Sequence, residues 1–87
     1  MKRGMPVSEK LKQDISIGAN LKFLREKSKL SQEQVAAKLQ VMGFNISREI
    51  ISQMELGKYS IRVSVLIAMK SLYNVTSYDE FFAGVSL

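Results

Sequence analysis

Residues 30–58 read LSQEQVAAKLQVMGFNISREIISQMELGK and contain two short amphipathic segments separated by a glycine. Each segment opens with a serine, Ser31 or Ser47, whose hydroxyl can accept a hydrogen bond from a free N–H of the first helical turn. Gln34 stands three residues after Ser31 and completes a capping box. Gly43 favours a turn because glycine adopts a positive φ at little cost. The stretch therefore predicts two helices meeting at a steep angle, which is a helix-turn-helix.

The second helix of this pair has a polar face directed away from the predicted core. At 100° per residue, Ile51 and Met54 face inward, and four polar residues fall on or beside the opposite face: Arg48, Glu49, Ser52 and Gln53. In the major groove, arginine can donate two hydrogen bonds to guanine, glutamine can pair with adenine and glutamate can accept from cytosine. Any solvent-facing helix is polar, so a single one of these residues indicates nothing. The four together, on a tight two-helix pattern, predict contacts with DNA bases.

A short cationic loop follows this helix. Gly57 is placed to end the helix in a left-handed conformation. Lys58, Tyr59, Ser60 and Arg62 then supply two cations and two hydroxyl groups. Such side chains suit phosphate contacts, which position a protein on DNA without distinguishing bases.

The positive charge is concentrated in the N-terminal third of the chain. The net charge is +5, and residues 1–30 hold eight lysines and arginines against three acids. This distribution suits attraction to phosphate, although a lysine-rich terminus taken alone is more often a solubilising tail. Gly4 and Pro6 interrupt any periodicity there. We expect residues 1–15 to form a flexible basic leader and residues 16–87 to form one domain.

Several function classes are disfavoured by composition. The chain has no cysteine and no histidine, which excludes disulfides and the usual zinc ligand sets. An enzyme and a cofactor are not expected, because the common general bases and nucleophile pairs are missing. No apolar run approaches the roughly 20 residues that span a bilayer, and no secretory signal follows the N-terminus. The expected location is cytoplasmic.

Three further helices are predicted around the central pair. The first spans residues 16–28, with Ser16 as a candidate N-cap, and the fourth spans Val63–Leu72. A short fifth helix covers Tyr78–Phe82. Its two adjacent phenylalanines cannot both face the same core.

With these helices in place, residues 17–82 resemble the Cro/C1-type (XRE family) helix-turn-helix domain of bacterial and phage regulators. The matching features are Arg25 before the turn, Ser31-Gln32-Glu33 with Val35-Ala36, Ile51 through Glu55, Gly57-Lys58, and the runs VLIAMKSLYNV and YDEFF. The resemblance implies an all-α, five-helix, lambda-repressor-like DNA-binding domain with its helix-turn-helix at helices 2 and 3. It also implies a transcriptional regulator, typically a repressor, that binds double-stranded DNA and is commonly a homodimer.

The resemblance further assigns roles to individual residues. Gln32 matches the family glutamine that opens helix 2 against the DNA backbone and braces the recognition helix. Arg25 and Glu55 match an ion pair that bridges helix 1 to the end of helix 3. An unpaired carboxylate on the inward side of helix 3 would be costly, which suits a structural role for this pair.

The chain departs from the compact family pattern between helices 2 and 3. Residues 40–46 form a longer connection and resemble a variant of the family. Met42 or Phe44 is expected to cover this turn. Ile50 stands where a small polar residue is common, and it fits either contact with a thymine methyl group or, more readily, burial against the turn.

The alternative function is a protein-interaction module, such as an antitoxin or anti-regulator that uses the same fold to hold a partner. Such a module would keep the core and the Arg25–Glu55 match but would not need the cationic loop. Lys58 and Arg62 therefore favour DNA binding.

Overall fold

A computed structural model gives the architecture and describes residues 10–11 and 15–86. Within these residues the chain forms four α-helices, one 3₁₀ helix and one pair of very short strands. The strands are β1 (Lys10–Leu11) and β2 (Ile61–Arg62). The helices are α1 (Gly18–Lys27), α2 (Gln32–Val41), α3 (Arg48–Glu55), α4 (Val63–Leu72) and the 3₁₀ helix Tyr78–Phe82.

The all-α prediction is confirmed, with two differences in detail. The fifth helix is a 3₁₀ helix and not an α-helix, so the count of five holds only when it is included. The first helix begins at Gly18, two residues later than predicted. Ser16 lies just outside it, and its hydroxyl accepts a 2.9 Å hydrogen bond from the N–H of Gly18.

The pairing of β1 with β2 was not predicted. The strands are antiparallel, with Lys10 opposite Arg62 and Leu11 opposite Ile61. A strand of two residues is too short to show the alternating pattern of a β-strand, so the sequence does not predict it. β1 falls inside the predicted flexible leader. Residues 1–9 and 12–14 of that leader lie outside the described part of the chain, and its flexibility stays a prediction.

All four α-helices end in the same way. The residue after each C-cap has a positive φ, and these residues are Lys29 (60°), Gly43 (98°), Gly57 (78°) and Asn74 (54°). At the end of α3, the N–H of Lys58 then donates to the carbonyl of Gln53 at 2.9 Å. This Schellman arrangement satisfies carbonyls that the helix leaves open and turns the chain towards its next element.

The core takes one or more apolar side chains from every helix. The largest fully buried side chains are Leu21, Val35, Leu39, Ile51, Met54, Ile61, Val65, Met69 and Phe81. Phe81 is completely buried, whereas its neighbour Phe82 is 45% exposed. The expectation that only one of the two faces the core is therefore met.

Gly18 permits the close approach of α1 to the end of α3. A Cβ atom at this position would lie 2.7 Å from the carbonyl oxygen of Met54 and 2.7 Å from the carbonyl carbon of Glu55. Real side chains do not tolerate such contacts with backbone. The absence of a side chain here thus fixes how near α1 lies to the helix-turn-helix.

Candidate nucleic-acid interface

The helix-turn-helix begins with the capping bonds expected of its serines. The hydroxyl of Ser31 accepts from the N–H of Gln34 at 3.0 Å, and the Gln34 side chain accepts from the N–H of Ser31 at 2.8 Å. At the start of α3, the hydroxyl of Ser47 accepts from the N–H of Ile50 at 3.2 Å. Both helix starts are thus fixed by local side chains, independently of the core.

The long turn between α2 and α3 is held from both sides. Phe44 is half-buried against the core, whereas Met42 is 50% exposed, so Phe44 is the residue that covers the turn. Gln40 donates from its side-chain amide to the carbonyl of Ile46 at 2.8 Å. Ile46 itself returns to the core with 6% exposure. The turn therefore has defined anchors at both ends.

An ion pair between α1 and α3 lies beneath the interface. Arg25 donates from Nε to Glu55 Oε2 at 2.6 Å and from Nη2 to Glu55 Oε1 at 3.0 Å. A third bond runs from Nη1 to the carbonyl of Leu30 at 2.9 Å. The two residues are 8% and 9% exposed. The hydrogen bond to Glu55 raises the pKa of the Arg25 guanidinium above its ordinary value, against the opposing effect of burial.

Gln32 extends this pair towards the surface. Its amide nitrogen donates to Glu55 Oε1 at 3.0 Å, and its amide oxygen accepts a long 3.4 Å bond from Nη1 of Arg48. The side chain of Arg48 is half exposed. A continuous set of hydrogen bonds therefore connects the buried guanidinium of Arg25 to the first outward side chain of α3.

The outer face of α3 carries the four predicted base-contacting residues. Arg48, Glu49 and Gln53 are exposed, and Ser52 is half-buried. Glu49 lies 3.8 Å from Nη2 of Arg48, and its side chain is 75% exposed. Such an exposed pair contributes little to folding. Arg48 can therefore exchange its contact with Glu49 for a contact with a ligand at small cost.

The predicted phosphate-contacting loop starts at the Schellman turn of α3. Lys58, Tyr59 and Arg62 are exposed, with Tyr59 at 44%. The backbone of Arg62 is paired with Lys10 in the strand pair. The loop is thus attached at one end to α3 and at the other to β1.

The sequence profile of the helix-turn-helix family matches residues 21–81, from within α1 to the 3₁₀ helix. The chain belongs to the Cro/C1-type helix-turn-helix family. Comparisons with curated proteins and with solved structures gave no match. Membership makes this chain part of a family of DNA-binding transcriptional regulators.

In this helix-turn-helix domain, concave surfaces lie on two sides of α3 within the part of the chain that the structure describes. An open groove lies at the starts of α2 and α3, lined by Lys22, Arg25, Ser31, Gln32, Glu33 and Arg48. The turn cleft lies on another side of α3, lined by Gly43, Asn45, Ile46, Ile50, Met54, Tyr59, Ser60, Arg62 and Val65. The predicted contact residues thus divide: Gln32 and Arg48 share the groove, whereas Tyr59 and Arg62 border the turn cleft.

Lys22 is a residue of the interface that sequence patterns did not single out. It lines the groove together with Gln32 and Arg48. Its spacing of three residues from Arg25 places both on one side of α1, and this was the available signal. Ile50 is half-buried and lines the turn cleft together with residues of the long turn. This position agrees with burial against the turn, which was expected more readily than contact with a thymine methyl group.

No helix among the described residues is long and apolar enough to cross a membrane. No group of three or more acidic side chains there is placed to hold a metal ion.

Proposed function

We propose that this helix-turn-helix domain binds double-stranded DNA sequence-specifically, with α3 in the major groove, as a repressor-like transcriptional regulator of bacterial or phage type. Arg48, Glu49, Ser52 and Gln53 contact bases. Gln32, Lys58, Tyr59 and Arg62 contact phosphates and fix the register of α3. Base contacts supply discrimination, whereas phosphate contacts supply affinity that falls with salt.

The observation that carries the proposal is the set of hydrogen bonds from Arg25 through Glu55 and Gln32 to Arg48. It uses a buried ion pair to orient a side chain that points into solvent. The bond from Gln32 satisfies the buried carboxylate of Glu55, whereas the further bond from Arg48 to Gln32 lies at the surface and adds nothing to the core. Orientation of an exposed arginine is useful when that arginine must meet a planar partner such as a guanine edge.

The proposal includes a homodimer in the cytoplasm. Two copies of α3 would then lie about 34 Å apart on one face of the duplex, so the operator would contain two related half-sites. Regulators of this size gain affinity by pairing, because one short helix offers few base contacts.

Selection from a randomised duplex library tests this function. The purified full chain is incubated with the library at near-physiological salt, and retained duplexes are sequenced. A pseudo-palindromic motif supports specific binding by a dimer, and its spacing reports the distance between the α3 copies. Uniform, salt-sensitive retention of all sequences contradicts base-specific binding and favours the protein-interaction module, for which a partner would then be sought.

A further inference from the structure

The end of α3 carries an exposed apolar side chain. Leu56 directly follows the last residue of α3, and its N–H donates to the carbonyl of Ser52 at 3.0 Å, so the chain is still helical there. The residue is 61% exposed. A single exposed leucine is ordinary on a protein surface. What distinguishes this one is the side of the helix on which it lies.

Leu56 lies on the side of α3 that carries the proposed base contacts. At about 100° per residue, Leu56 stands about 20° from Glu49 and about 40° from Ser52 around the helix axis. The buried residues Ile51 and Met54 stand about 140° and about 160° away from it. The outward face of α3 is therefore polar at its start and middle and apolar at its end.

The turn after α3 does not require an apolar side chain at position 56. The turn is closed by backbone groups: the N–H of Gly57 donates to the carbonyl of Met54 at 3.0 Å, and the N–H of Lys58 donates to the carbonyl of Gln53 at 2.9 Å. The apolar contact that often accompanies such a turn would join positions 53 and 58 and would not involve Leu56. The fold thus leaves this leucine without a structural role that its exposure would serve.

The helix is short enough for its end to stay close to the bases. Base contacts of recognition helices come mainly from their first residues, but residues 48–56 rise only about 12 Å along the axis. The major groove is about 12 Å wide. Leu56 stands about 4.5 Å further along the axis than Gln53, which is itself a proposed base contact. A groove that holds the start of α3 therefore also holds its end.

We infer that Leu56 is a specificity-determining residue that packs against the methyl group of one thymine in each half-site. Apolar contact with this methyl group distinguishes thymine from the other bases in the major groove. Ser52, one turn earlier on the same side, has a short side chain and leaves space for the methyl group beside Leu56. The inference rests on the proposed function, because it needs α3 in the major groove.

Replacement of single thymines by deoxyuridine tests the contact, because it removes the methyl group and keeps the base pairing. Operator duplexes with one replacement each are titrated with the full chain by fluorescence anisotropy. At one thymine of a half-site, we expect the replacement to weaken binding about fourfold, the factor that burial of one methyl group gives. Replacement of the other thymines should leave the affinity nearly unchanged.

Three variants show whether Leu56 is responsible for this loss. Leu56→Ala should bind the thymine and deoxyuridine operators equally. Leu56→Met keeps an apolar side chain of similar volume and should retain most of the difference. The matched control, Ile67→Ala, shortens a side chain of the same size at a position on α4 that is 54% exposed, and it should retain the full difference. Thermal melts confirm that each variant is folded.

The results separate this inference from the proposed function. The role of Leu56 is wrong if the half-sites contain no thymine, if no single replacement or every replacement weakens binding, or if Leu56→Ala keeps the loss. The last result would indicate another side chain, such as Ile50. In each of these cases the chain still binds its operator, so the proposed function stands. A chain that selects no operator contradicts the proposed function and the role of Leu56 with it.

Discussion

At the scale of single residues, the proposed function divides the exposed cations into those that contact bases and those that contact the DNA backbone. Arg48 is braced by Gln32, whereas Lys58 stands at the start of the loop after α3. We expect Arg48→Ala to cost about 1–3 kcal/mol on the selected operator and to relax preference at one base pair. Lys58→Ala should weaken binding to all duplexes by a similar factor. It should also reduce by about 1 the slope of the logarithm of the binding constant against the logarithm of the salt concentration.

Titrations of both variants with the operator, with single-base variants and at several salt concentrations provide the test. Identical behaviour of Arg48→Ala and Lys58→Ala across sequences would contradict the division. The role of Gln32 is tested in the same assay. Gln32→Ala should relax the preference at the base pair that Arg48 contacts. In a chain that already carries Arg48→Ala, the same substitution should have no further effect on that preference.

The buried pair between Arg25 and Glu55 governs stability. Glu55→Gln keeps the size of the side chain but leaves the guanidinium without a countercharge. Because both groups are nearly enclosed, we expect a loss of about 3 kcal/mol in the free energy of unfolding. Urea denaturation followed by circular dichroism measures it, with Glu49→Gln on the exposed face of α3 as control. A loss below about 1 kcal/mol would show that the pair is dispensable.

Tyr73 carries a buried hydroxyl that lacks a hydrogen-bond partner within the described residues. Burial raises the pKa of this phenol far above its usual range, and the nearby carboxylate of Glu55 adds to the rise, although Arg25 opposes it. The folded state thus favours the neutral phenol. The stability that the folded state gains from this pKa difference is fully present below the unfolded-state pKa of about 10. It is lost as pH rises above that value towards the folded-state pKa.

Tyr73→Phe should therefore keep or raise stability at pH 7, by up to about 1 kcal/mol, because it removes an unsatisfied polar group. It should also flatten the decline in stability above about pH 10. Thermal melts at neutral and alkaline pH check both expectations, with exposed Tyr78→Phe as the matched control. Equal alkaline sensitivity of Tyr73→Phe and the natural chain would contradict the argument.

At the scale of elements, the helix ends differ in how well their residues suit the left-handed conformation. Gly43 and Gly57 adopt it freely, whereas Lys29, with a φ of 60°, carries a side chain that disfavours it. We expect Lys29→Gly to stabilise the domain by about 1 kcal/mol. Lys38→Gly, inside α2, should instead cost about 1 kcal/mol. Thermal denaturation of both variants measures these changes in stability. If both substitutions destabilise the domain, the side chain of Lys29 makes contacts that outweigh the cost of its left-handed backbone conformation.

The helices and strands also show which structural features can be predicted from the sequence. Ser31, Ser47 and Gly57 mark helix boundaries through local bonds, so α2 and α3 were placed correctly. α4 matched its predicted bounds because its apolar residues repeat at helical spacing. The β1–β2 pair and the fit of Gly18 against α3 depend on residues distant in sequence. Patterns along a single chain do not contain such contacts.

At the scale of the whole molecule, the charge composition leads us to expect that DNA affinity depends on salt and not on pH near neutrality. The net charge is +5, and the chain has no histidine, the side chain whose ordinary pKa falls between about 5 and 8. We expect operator affinity to change less than about threefold from pH 6 to pH 8 at constant ionic strength, and to fall steeply with added salt. Fluorescence anisotropy measures both dependences. A strong pH dependence would indicate that another group titrates at the interface.

The candidate site was only partly visible in the sequence. Polar residues on one side of α3 could be predicted, because helical periodicity alone assigns Arg48 and Gln53 to the outer face. The connection of Arg48 to Gln32 depends on how α2 and α3 pack, and the turn cleft depends on how the long turn stands relative to the loop. Both are products of the assembled fold.

The separation of the two faces of α3 has a consequence for evolution and for engineering. Ile51, Met54 and Glu55 hold the helix in place, while the outward positions contribute little to folding. Under the proposed function, new operator preferences can thus arise by exchange of a few surface side chains without loss of the scaffold. The bond to Gln32 adds one condition: a specificity transplanted from another regulator should include the residue that opens α2, or the new side chain at position 48 will lack its support.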